Sequence, residues 1–218
     1  MNQIHNLSER DSVIHDFMER LRNVSKQTNR SLFRQNIRSI GRFIGYEVSK
    51  TLGYKTIDIQ TPLARHEQRV TMDEIVVVTV LRAGLPLHEG ILDAFPEAEN
   101  GFISAYRKHE GDSFSIEVKY VACPDLTDKV VIINDPMLAT GSSMITAWEV
   151  LRQYGEPKRV ILAAVIASEE GVSYVRDHAL GAFDLWIAAV DKELNEQKYI
   201  VPGLGDAGDL SYGEKLQH

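Results

Sequence analysis

Hydrophobic positions in the first fifty residues recur at helical spacing. Apolar residues lie three and four positions apart over 9–22 and again over 33–48, the spacing of amphipathic helices. Ser8 is a suitable N-cap for the first helix, and Gly53 is placed to end the second. The polar stretch 23–30 between them is predicted to be a loop. We therefore expect a helical layer ahead of the main fold.

From about residue 57 the pattern changes to short β-branched runs that alternate with helical stretches. The runs Ile75–Leu81 and 129–133 have no polar gap, which is typical of strands covered on both faces. Further strands are predicted over 102–106, 113–121, 159–167 and 183–190, and helices over 85–94, 142–153 and 169–178. Strands alternating with helices imply right-handed βαβ crossovers. The prediction is an α/β fold with a largely parallel, doubly wound sheet flanked by helices.

Ligands of such sheets bind beyond the carboxyl ends of the strands. That rule points to the turns that follow Leu81, Tyr106, Ile133 and Val190. All four turns have unusual sequence, and each is a candidate part of a binding site.

The segment 135–143, Asp-Pro-Met-Leu-Ala-Thr-Gly-Ser-Ser, lies between a predicted strand and a predicted helix. Small residues let backbone N–H groups approach an anion, and the following helix N-terminus adds partial positive charge. Thr140, Ser142 and Ser143 offer hydroxyl donors to phosphate oxygens, and the Asp135 carboxylate suits ribose hydroxyls. An ordinary strand–turn–helix connection explains this composition equally well. The segment is neither a Walker loop nor a dinucleotide fingerprint, because it lacks their lysine and glycines.

Two arginines follow predicted strands. Arg82 suits a pyrophosphate because its planar guanidinium makes paired hydrogen bonds to phosphate oxygens, and Ala83 and Gly84 leave room for the backbone to approach. Arg107 follows Tyr106, and the polar segment 108–112 after it has the composition of a closing flap. The alternatives are a salt-bridging Arg82 on the surface and a solvated Arg107 in an exposed hairpin turn.

Segment 199–209 contains three glycines and two aspartates. Apolar residues followed by small ones suit a flat heterocycle read by the main chain. A carbonyl flanked by N–H groups matches a base edge that presents an acceptor, a donor and an acceptor, and it rejects a base with a different pattern. A mobile tail and a calcium turn are the alternatives, although a calcium loop needs more oxygen ligands.

These segments together resemble the uracil phosphoribosyltransferases, which belong to the type I phosphoribosyltransferase superfamily. Segment 135–143 resembles the family's loop for phosphoribosyl pyrophosphate (PRPP), and Val-Leu-Arg-Ala-Gly-Leu around Arg82 resembles its pyrophosphate loop. Tyr106 and Arg107 resemble its Tyr-Arg pair, and 199–209 resembles its signature ending. The chain departs from the family pattern at three positions: Ser142 and Lys198, where glycine is usual, and Leu210, where arginine is usual.

The resemblance implies an enzyme that transfers the phosphoribosyl group of PRPP to N1 of uracil, giving UMP and pyrophosphate. It implies catalytic roles for Arg82, Arg107, Asp135 and Asp206. The residues expected to bind PRPP are Arg82, Ala83, Gly84, Arg107, Asp135, Pro136, Met137, Leu138, Ala139, Thr140, Gly141, Ser142, Ser143 and Asp206. The residues expected to bind uracil are Tyr199, Ile200, Gly205, Asp206 and Ala207.

The resemblance also bears on cofactor, effector and assembly. Mg²⁺ is expected to arrive bound to PRPP, with no protein side chains as dedicated ligands. A homodimer or homotetramer and a GTP effector are implied as well. Residues 8–52 are candidates for subunit contacts, although these helices suit packing on their own sheet equally well.

The charge balance limits the partners and the rival functions. A net charge of −7 argues against binding to nucleic acid or an anionic membrane, and so against an RNA-binding regulator that senses UMP or PRPP. A phosphoribosyltransferase for another base is opposed by segment 200–207. The polar start of the chain and the absence of long apolar runs lead us to expect a soluble, cytoplasmic protein.

The predicted organisation is a single domain over 1–218. It comprises a helical layer at 1–55, an α/β core at 56–190, and the base-binding loop and tail at 191–218. A single cysteine, Cys123, excludes an internal disulfide.

Overall fold

The computed structural model describes residues 2–110 and 113–215, and the side chains of 105–110 and 113–117 lie outside that description. The strands of the described part are β1 (Gln3–Asn6), β2 (Tyr54–Gln60), β3 (Arg65–Thr71), β4 (Ile75–Leu81), β5 (Glu99–Glu110), β6 (Ser113–Ala122), β7 (Val130–Asn134), β8 (Met137–Leu138), β9 (Arg159–Ser168), β10 (Phe183–Asp191), β11 (Glu193–Leu194) and β12 (Ile200–Val201). Its α-helices are α1 (Ile14–Arg22), α2 (Val24–Gln27), α3 (Arg30–Ser49), α4 (Leu85–Ala94), α5 (Ser142–Leu151), α6 (Glu169–His178) and α7 (Ala207–Tyr212).

One central sheet organises the molecule. Its strand order is β1-β10-β9-β7-β4-β5-β6, and the short β8 pairs with β9. Every pairing in it is parallel except that of β5 with β6. The predicted α/β fold with a largely parallel sheet is therefore confirmed. Two antiparallel pairs, β2 with β3 and β11 with β12, stand apart from this sheet.

Helices cover both faces of the sheet. Val77 of β4 belongs to the core that contains the buried faces of α1, α3 and α4, whereas Val76 and Val78 belong to the core beneath α5 and α6. Strands β4, β7 and β9 are buried along almost their whole length. Burial on both faces is the physical reason for their unbroken hydrophobic runs.

The direction of winding reverses between β4 and β7. From β4 the chain passes through α4 to β5 on one side, while β7 lies on the other side of β4 and leads through α5 to β9. Ligands of open α/β sheets bind in the crevice outside the carboxyl ends of the strands at such a point. The loop 82–84 leaves β4 here, and the segment 135–141 leaves β7 beside it.

The N-terminal layer differs from its prediction at the helix ends, at the edge of the sheet and in the loop. Helix α1 begins at Ile14 after Val13, so Ser8 is not its N-cap, and α3 ends at Ser49, before Gly53. Strand β1 extends the edge of the sheet, with Gln3 opposite Asp184 of β10. Within the stretch predicted as a loop, α2 forms a single helical turn, which Asn23 caps by accepting a hydrogen bond from the Ser25 amide at 3.0 Å. That loop prediction is therefore wrong for these residues. One turn is too short for hydrophobic periodicity to reveal it.

Two further boundaries were not anticipated. The hairpin β2–β3 lacks the alternating hydrophobic pattern of a strand pair, since nearly all of its residues are exposed on both faces. Strand β5 continues past Tyr106 to Glu110, so the turn predicted after Tyr106 is misplaced. Among the described residues, no helix combines the length and the apolar character needed to cross a bilayer.

Candidate active site

Arg82 lies just beyond the carboxyl end of β4, in a loop packed tightly on the sheet. The Leu81–Arg82 peptide bond is cis. Gly84 leaves no space for a side chain, because a Cβ there would overlap Thr79 Oγ1 and lie 3.3 Å from the Asn134 carbonyl oxygen. Thr79 donates a buried hydrogen bond of 2.9 Å to Asn134 Oδ1, which ties β4 to β7 next to this loop.

The guanidinium of Arg82 points to the C-terminal helix. Its Nη2 donates to Asp209 Oδ1 at 2.9 Å and to the Gly213 carbonyl at 2.6 Å. Its Nε is buried and has no hydrogen-bond partner among the described residues. The backbone of Arg107 lies within β5, opposite Ile116, and its side chain lies outside the described residues.

The loop after β7 forms a compact turn. Gly141 has φ +79°, a left-handed conformation that favours glycine, and α5 starts at the next residue. Ser142 is therefore helical and is free of positive-φ strain, and its Oγ lies 2.7 Å from Thr140 Oγ1. A cavity of about 30 Å³ is lined by Asp135, Met137, Leu138, Ala139, Thr140, Gly141, Ser143 and Met144.

Strand β9 and helix α6 hold this loop from behind. Ser168 Oγ donates to the Ala139 carbonyl at 2.6 Å and accepts from the Gly171 amide at 2.8 Å. Pro136 and Leu138 are buried, whereas the side chains of Asp135, Thr140, Ser142 and Ser143 remain half-exposed. The polar members of the loop are thus accessible to a ligand.

The predicted base loop is tightly folded. The Val201–Pro202 peptide is cis, and Gly203 and Gly205 have φ of +64° and +90°. Ile200 and Ala207 are only 4% and 1% exposed, whereas Tyr199 is 44% exposed.

A buried ion pair anchors this loop. Asp191, at the end of β10, accepts two hydrogen bonds of 2.7 Å from Arg22 and one of 2.8 Å from the Gly203 amide. Arg22 also donates to the Gly203 carbonyl at 3.0 Å. Burial alone would raise the pKa of Asp191, but the hydrogen bonds from Arg22 and Gly203 outweigh it and lower that pKa.

The base loop leads into helix α7, which was not predicted because the glycines of segment 199–209 favour a loop. Asp206 is the N-cap of α7, and its carboxylate accepts from the Asp209 amide at 2.9 Å. Residues beyond Asp206 were expected to belong to the loop, and the structure corrects that boundary. Capping by aspartate is a recognised helix start, although a six-residue helix gives little periodicity to detect.

The three loops meet at one place. The Ala207 amide lies 3.4 Å from Met137 Sδ of the loop after β7. A Cβ on Gly208 would lie 3.7 Å from the Ala83 Cβ of the loop after β4. Together with the contact of Arg82 with Asp209, these distances show that all three segments border one crevice.

The departures from the family pattern have different structural consequences. Lys198 has φ +64° in the turn between β11 and β12, so a lysine occupies a backbone conformation that suits glycine. Leu210 packs against the hydrophobic core and lies near Gly205.

The sequence did not single out Arg22 as part of the site, nor Arg34, which donates to the Ser211 carbonyl at 2.6 Å. Arg22 and Asp191 are 169 residues apart in sequence. No local pattern reports such a contact. A larger cavity, of about 600 Å³, lies away from the three loops and is lined largely by residues of β1, of the segment between β1 and α1, and of α3. Among the described residues, no group of three or more His, Cys, Asp or Glu side chains could hold a metal ion.

Comparison with known proteins agrees with this geometry. A model of the family described as uracil phosphoribosyltransferase matches residues 9–213. The chain is 47% identical over 217 residues to a Porphyromonas gingivalis protein named uracil phosphoribosyltransferase, covering 99% of this chain and 100% of that protein. The AQ2163 protein from Aquifex aeolicus superposes with a TM-score of 0.85 at 28% identity, covering 99% of this chain and 100% of that one. A hypoxanthine phosphoribosyltransferase from Staphylococcus aureus shares the fold, with a TM-score of 0.50 at 12% identity over 74% of this chain and 76% of that one.

Proposed function

The chain belongs to the uracil phosphoribosyltransferase family and transfers the phosphoribosyl group of PRPP to N1 of uracil, and from this premise we propose how its three loops share the reaction. The observation that carries the proposal is their convergence at the reversal between β4 and β7. Each loop supplies the groups that one part of the substrate pair requires. The base loop faces uracil, the loop after β7 faces the ribose 5-phosphate, and Arg82 faces the pyrophosphate.

The loop 135–143 is proposed to hold the 5-phosphate and ribose of PRPP. The half-exposed hydroxyls of Thr140, Ser142 and Ser143 donate to phosphate oxygens, and the N-terminus of α5 adds its partial positive charge. Asp135 accepts from ribose hydroxyls. Hydrogen bonds to charged groups contribute about 1.5–3 kcal/mol each, so several of them hold a phosphate without a lysine.

The reaction is a displacement at the anomeric carbon of the ribose. The bond from C1 to uracil N1 forms, the bond from C1 to the pyrophosphate oxygen breaks, and the leaving group takes the bonding electrons. The transition state resembles an oxocarbenium ion, as in other glycosyl transfers. Arg82, joined by Arg107 in this proposal, stabilises the negative charge that grows on the departing pyrophosphate.

Mg²⁺ is proposed to enter as part of the substrate, bound to the pyrophosphate of PRPP. Such an ion keeps several waters and needs one or two protein carboxylates at most. The pyrophosphate, the ribose hydroxyls and water are proposed as its ligands, with no dedicated set of protein side chains. When bound, the ion neutralises part of the pyrophosphate charge.

Uracil is proposed to lie against Ile200, Gly205, Asp206 and Ala207, with Tyr199 at the margin. Because the side chains of Ile200, Gly205 and Ala207 carry no polar group, main-chain carbonyl and N–H groups read the base edge. A site built from such groups rejects a base with the opposite hydrogen-bonding pattern by a factor on the order of 10⁴.

Assembly, regulation and location are further parts of the proposal. A homodimer or homotetramer is supported by the β2–β3 hairpin, whose Leu63 is 96% exposed and whose Ile57 is 37% exposed. The buried faces of α1 and α3 pack on the chain's own sheet, which favours the hairpin over residues 8–52 as the source of subunit contacts. Activation by GTP and a cytoplasmic location stay predictions, and adding GTP to the assay below tests the first.

The function is tested by measuring UMP formation from PRPP and Mg²⁺ with uracil, cytosine, hypoxanthine, adenine and orotate offered in parallel. We expect product from uracil alone. Product from another base would show that the base loop has been misread, and no product from any base, with or without GTP, would favour a regulatory protein.

Asp206→Asn tests the site residues in the same assay. Asparagine is as good an N-cap as aspartate, so α7 is kept while the charge is removed. We expect folded protein with little activity. Near-normal turnover would remove the Asp206 carboxylate from the reaction.

A further inference from the structure

The contacts of Arg82 use only part of its guanidinium. Both of its hydrogen bonds to described residues come from Nη2, one to the Asp209 carboxylate at 2.9 Å and one to the Gly213 carbonyl at 2.6 Å. Neither Nη1 nor Nε has a hydrogen-bond partner among the residues that the structure describes. Asp209 and Gly213 therefore fix Nη2, and Nη1 is left to donate to another acceptor.

The segment that ties Arg82 is itself fixed to the body of the protein. Arg34 of α3 donates to the Ser211 carbonyl at 2.6 Å, and Ser211 is fully buried. The Tyr212 ring lies 5.7 Å from the Arg34 guanidinium and 5.9 Å from that of Arg82. Asp209 thus acts from a rigid support rather than from a loose tail.

The same short helix also carries the base-loop carboxylate. Asp206 caps α7 and Asp209 lies three residues later, so one helical turn connects the proposed uracil loop with Arg82. The cap bond uses the backbone N–H of Asp209 and not its side chain. Substituting the Asp209 side chain therefore leaves the start of α7 intact.

We propose that Asp209 is a positioning residue, whose carboxylate holds Arg82 so that its Nη1 faces the pyrophosphate of bound PRPP. The inference rests on the proposed role of Arg82. The side chains of Arg82 and Asp209 are 35% and 34% exposed, and an ion pair this accessible adds little to stability. Its main effect is to restrict a side chain that has many rotamers. An arginine oriented before the reaction needs no reorganisation when charge develops on the leaving group.

The test compares Asp209→Ala, Asp209→Asn, Arg82→Ala and the double variant Arg82→Ala with Asp209→Ala. Glu214→Gln is the matched control, because it removes an exposed carboxylate from the same segment. For each variant, kcat, the KM values for PRPP and uracil, and Tm are measured.

We expect Asp209→Ala to lower kcat by roughly 10- to 100-fold, the effect of misplacing a catalytic group, with Tm and the KM for uracil unchanged. Asp209→Asn keeps an acceptor oxygen and should restore kcat to within roughly threefold of the wild type, since a neutral hydrogen bond is weaker than a charged one. Arg82→Ala should lower kcat by roughly 100-fold or more. The double variant should then be no slower than Arg82→Ala, because Asp209 acts only through Arg82.

Three results would overturn the inference in distinguishable ways. An equal loss from Asp209→Ala in the wild-type and Arg82→Ala backgrounds would show that Asp209 acts elsewhere. A higher kcat/KM for PRPP in Asp209→Ala would show that the carboxylate competes with pyrophosphate for Arg82. Full activity in Arg82→Ala would reject the proposed role of Arg82 itself.

Discussion

Asp191→Asn perturbs the base loop at its anchor without changing the size of the side chain. The wild-type carboxylate accepts from Arg22 at both oxygens and from the Gly203 amide at Oδ2. An amide has one acceptor oxygen, so its NH₂ group must face at least one of these donors. Arg22 would also lose the charge that balances it.

The structure sets the size of the effect. Removing one partner of a buried ion pair costs about 3–5 kcal/mol. Asp191 is 8% exposed and Arg22 is 26% exposed, so water partly screens the charge left on Arg22 and about 2–3 kcal/mol is a better value. For a chain of this length, Tm should fall by roughly 4–12 °C. A loosened base loop should also raise the KM for uracil by roughly tenfold, and more than the KM for PRPP.

The pH dependence gives an independent check. The pKa of Asp191 is lower in the folded protein than in the unfolded chain, despite the opposing effect of burial. Its stabilising contribution is therefore fully present above about pH 4 and is lost as the pH falls through the folded-state pKa. The difference in unfolding free energy between wild type and Asp191→Asn should shrink below pH 4.

Urea unfolding at pH 7 and pH 3.5, together with steady-state kinetics, measures these effects. Asp177→Asn is the control, because its pair with Arg176 lies on the surface, where both side chains are more than half exposed. It should leave Tm and both KM values unchanged. An Asp191→Asn protein as stable as this control would refute the anchoring argument, and a destabilised protein with an unchanged KM for uracil would separate the anchor from base binding.

Three other predictions follow from single contacts. Burial lowers the pKa of His88 despite its hydrogen bond to Asn100, so stability should decline as the pH falls below about 6.5. His88→Gln should flatten the dependence of the unfolding free energy on pH between about pH 5 and 6.5. An unchanged slope would show that His88 does not cause the decline. Ser142→Gly should raise the KM for PRPP by roughly 2- to 10-fold at constant KM for uracil, because one hydroxyl hydrogen bond to the phosphate is lost. An unchanged KM for PRPP would show that this hydroxyl does not reach the phosphate. Gly90→Ala should lower stability by about 1–3 kcal/mol, because the new Cβ would overlap the Arg38 carbonyl oxygen of α3 and lie 2.8 Å from its carbon. Thermal unfolding measures this, with Ser39→Ala at a half-buried position of α3 as the control. Equal Tm values would mean that α3 and α4 move apart at no cost.

The sequence by itself determined the fold class and the position of the loop after β7. Strands such as β4 and β7 are buried on both faces, so their local composition reveals them, and the rule that ligands bind beyond parallel strands then selects the loops that follow. Ser142 shows the limit of this approach. The residue type was visible, but only the backbone shows that the positive φ falls on Gly141 and spares Ser142.

Only the tertiary structure decided which distant residues support those loops. The edge strand β1 pairs with β10 about 180 residues later, Arg22 reaches Asp191, and Arg82 reaches Asp209. Each contact joins polar side chains or strand edges that no local sequence pattern distinguishes. Their partners depend on how the chain returns to the same edge of the sheet. Hydrophobic periodicity reports whether a segment is buried, but it carries no information about which charged residue a guanidinium meets.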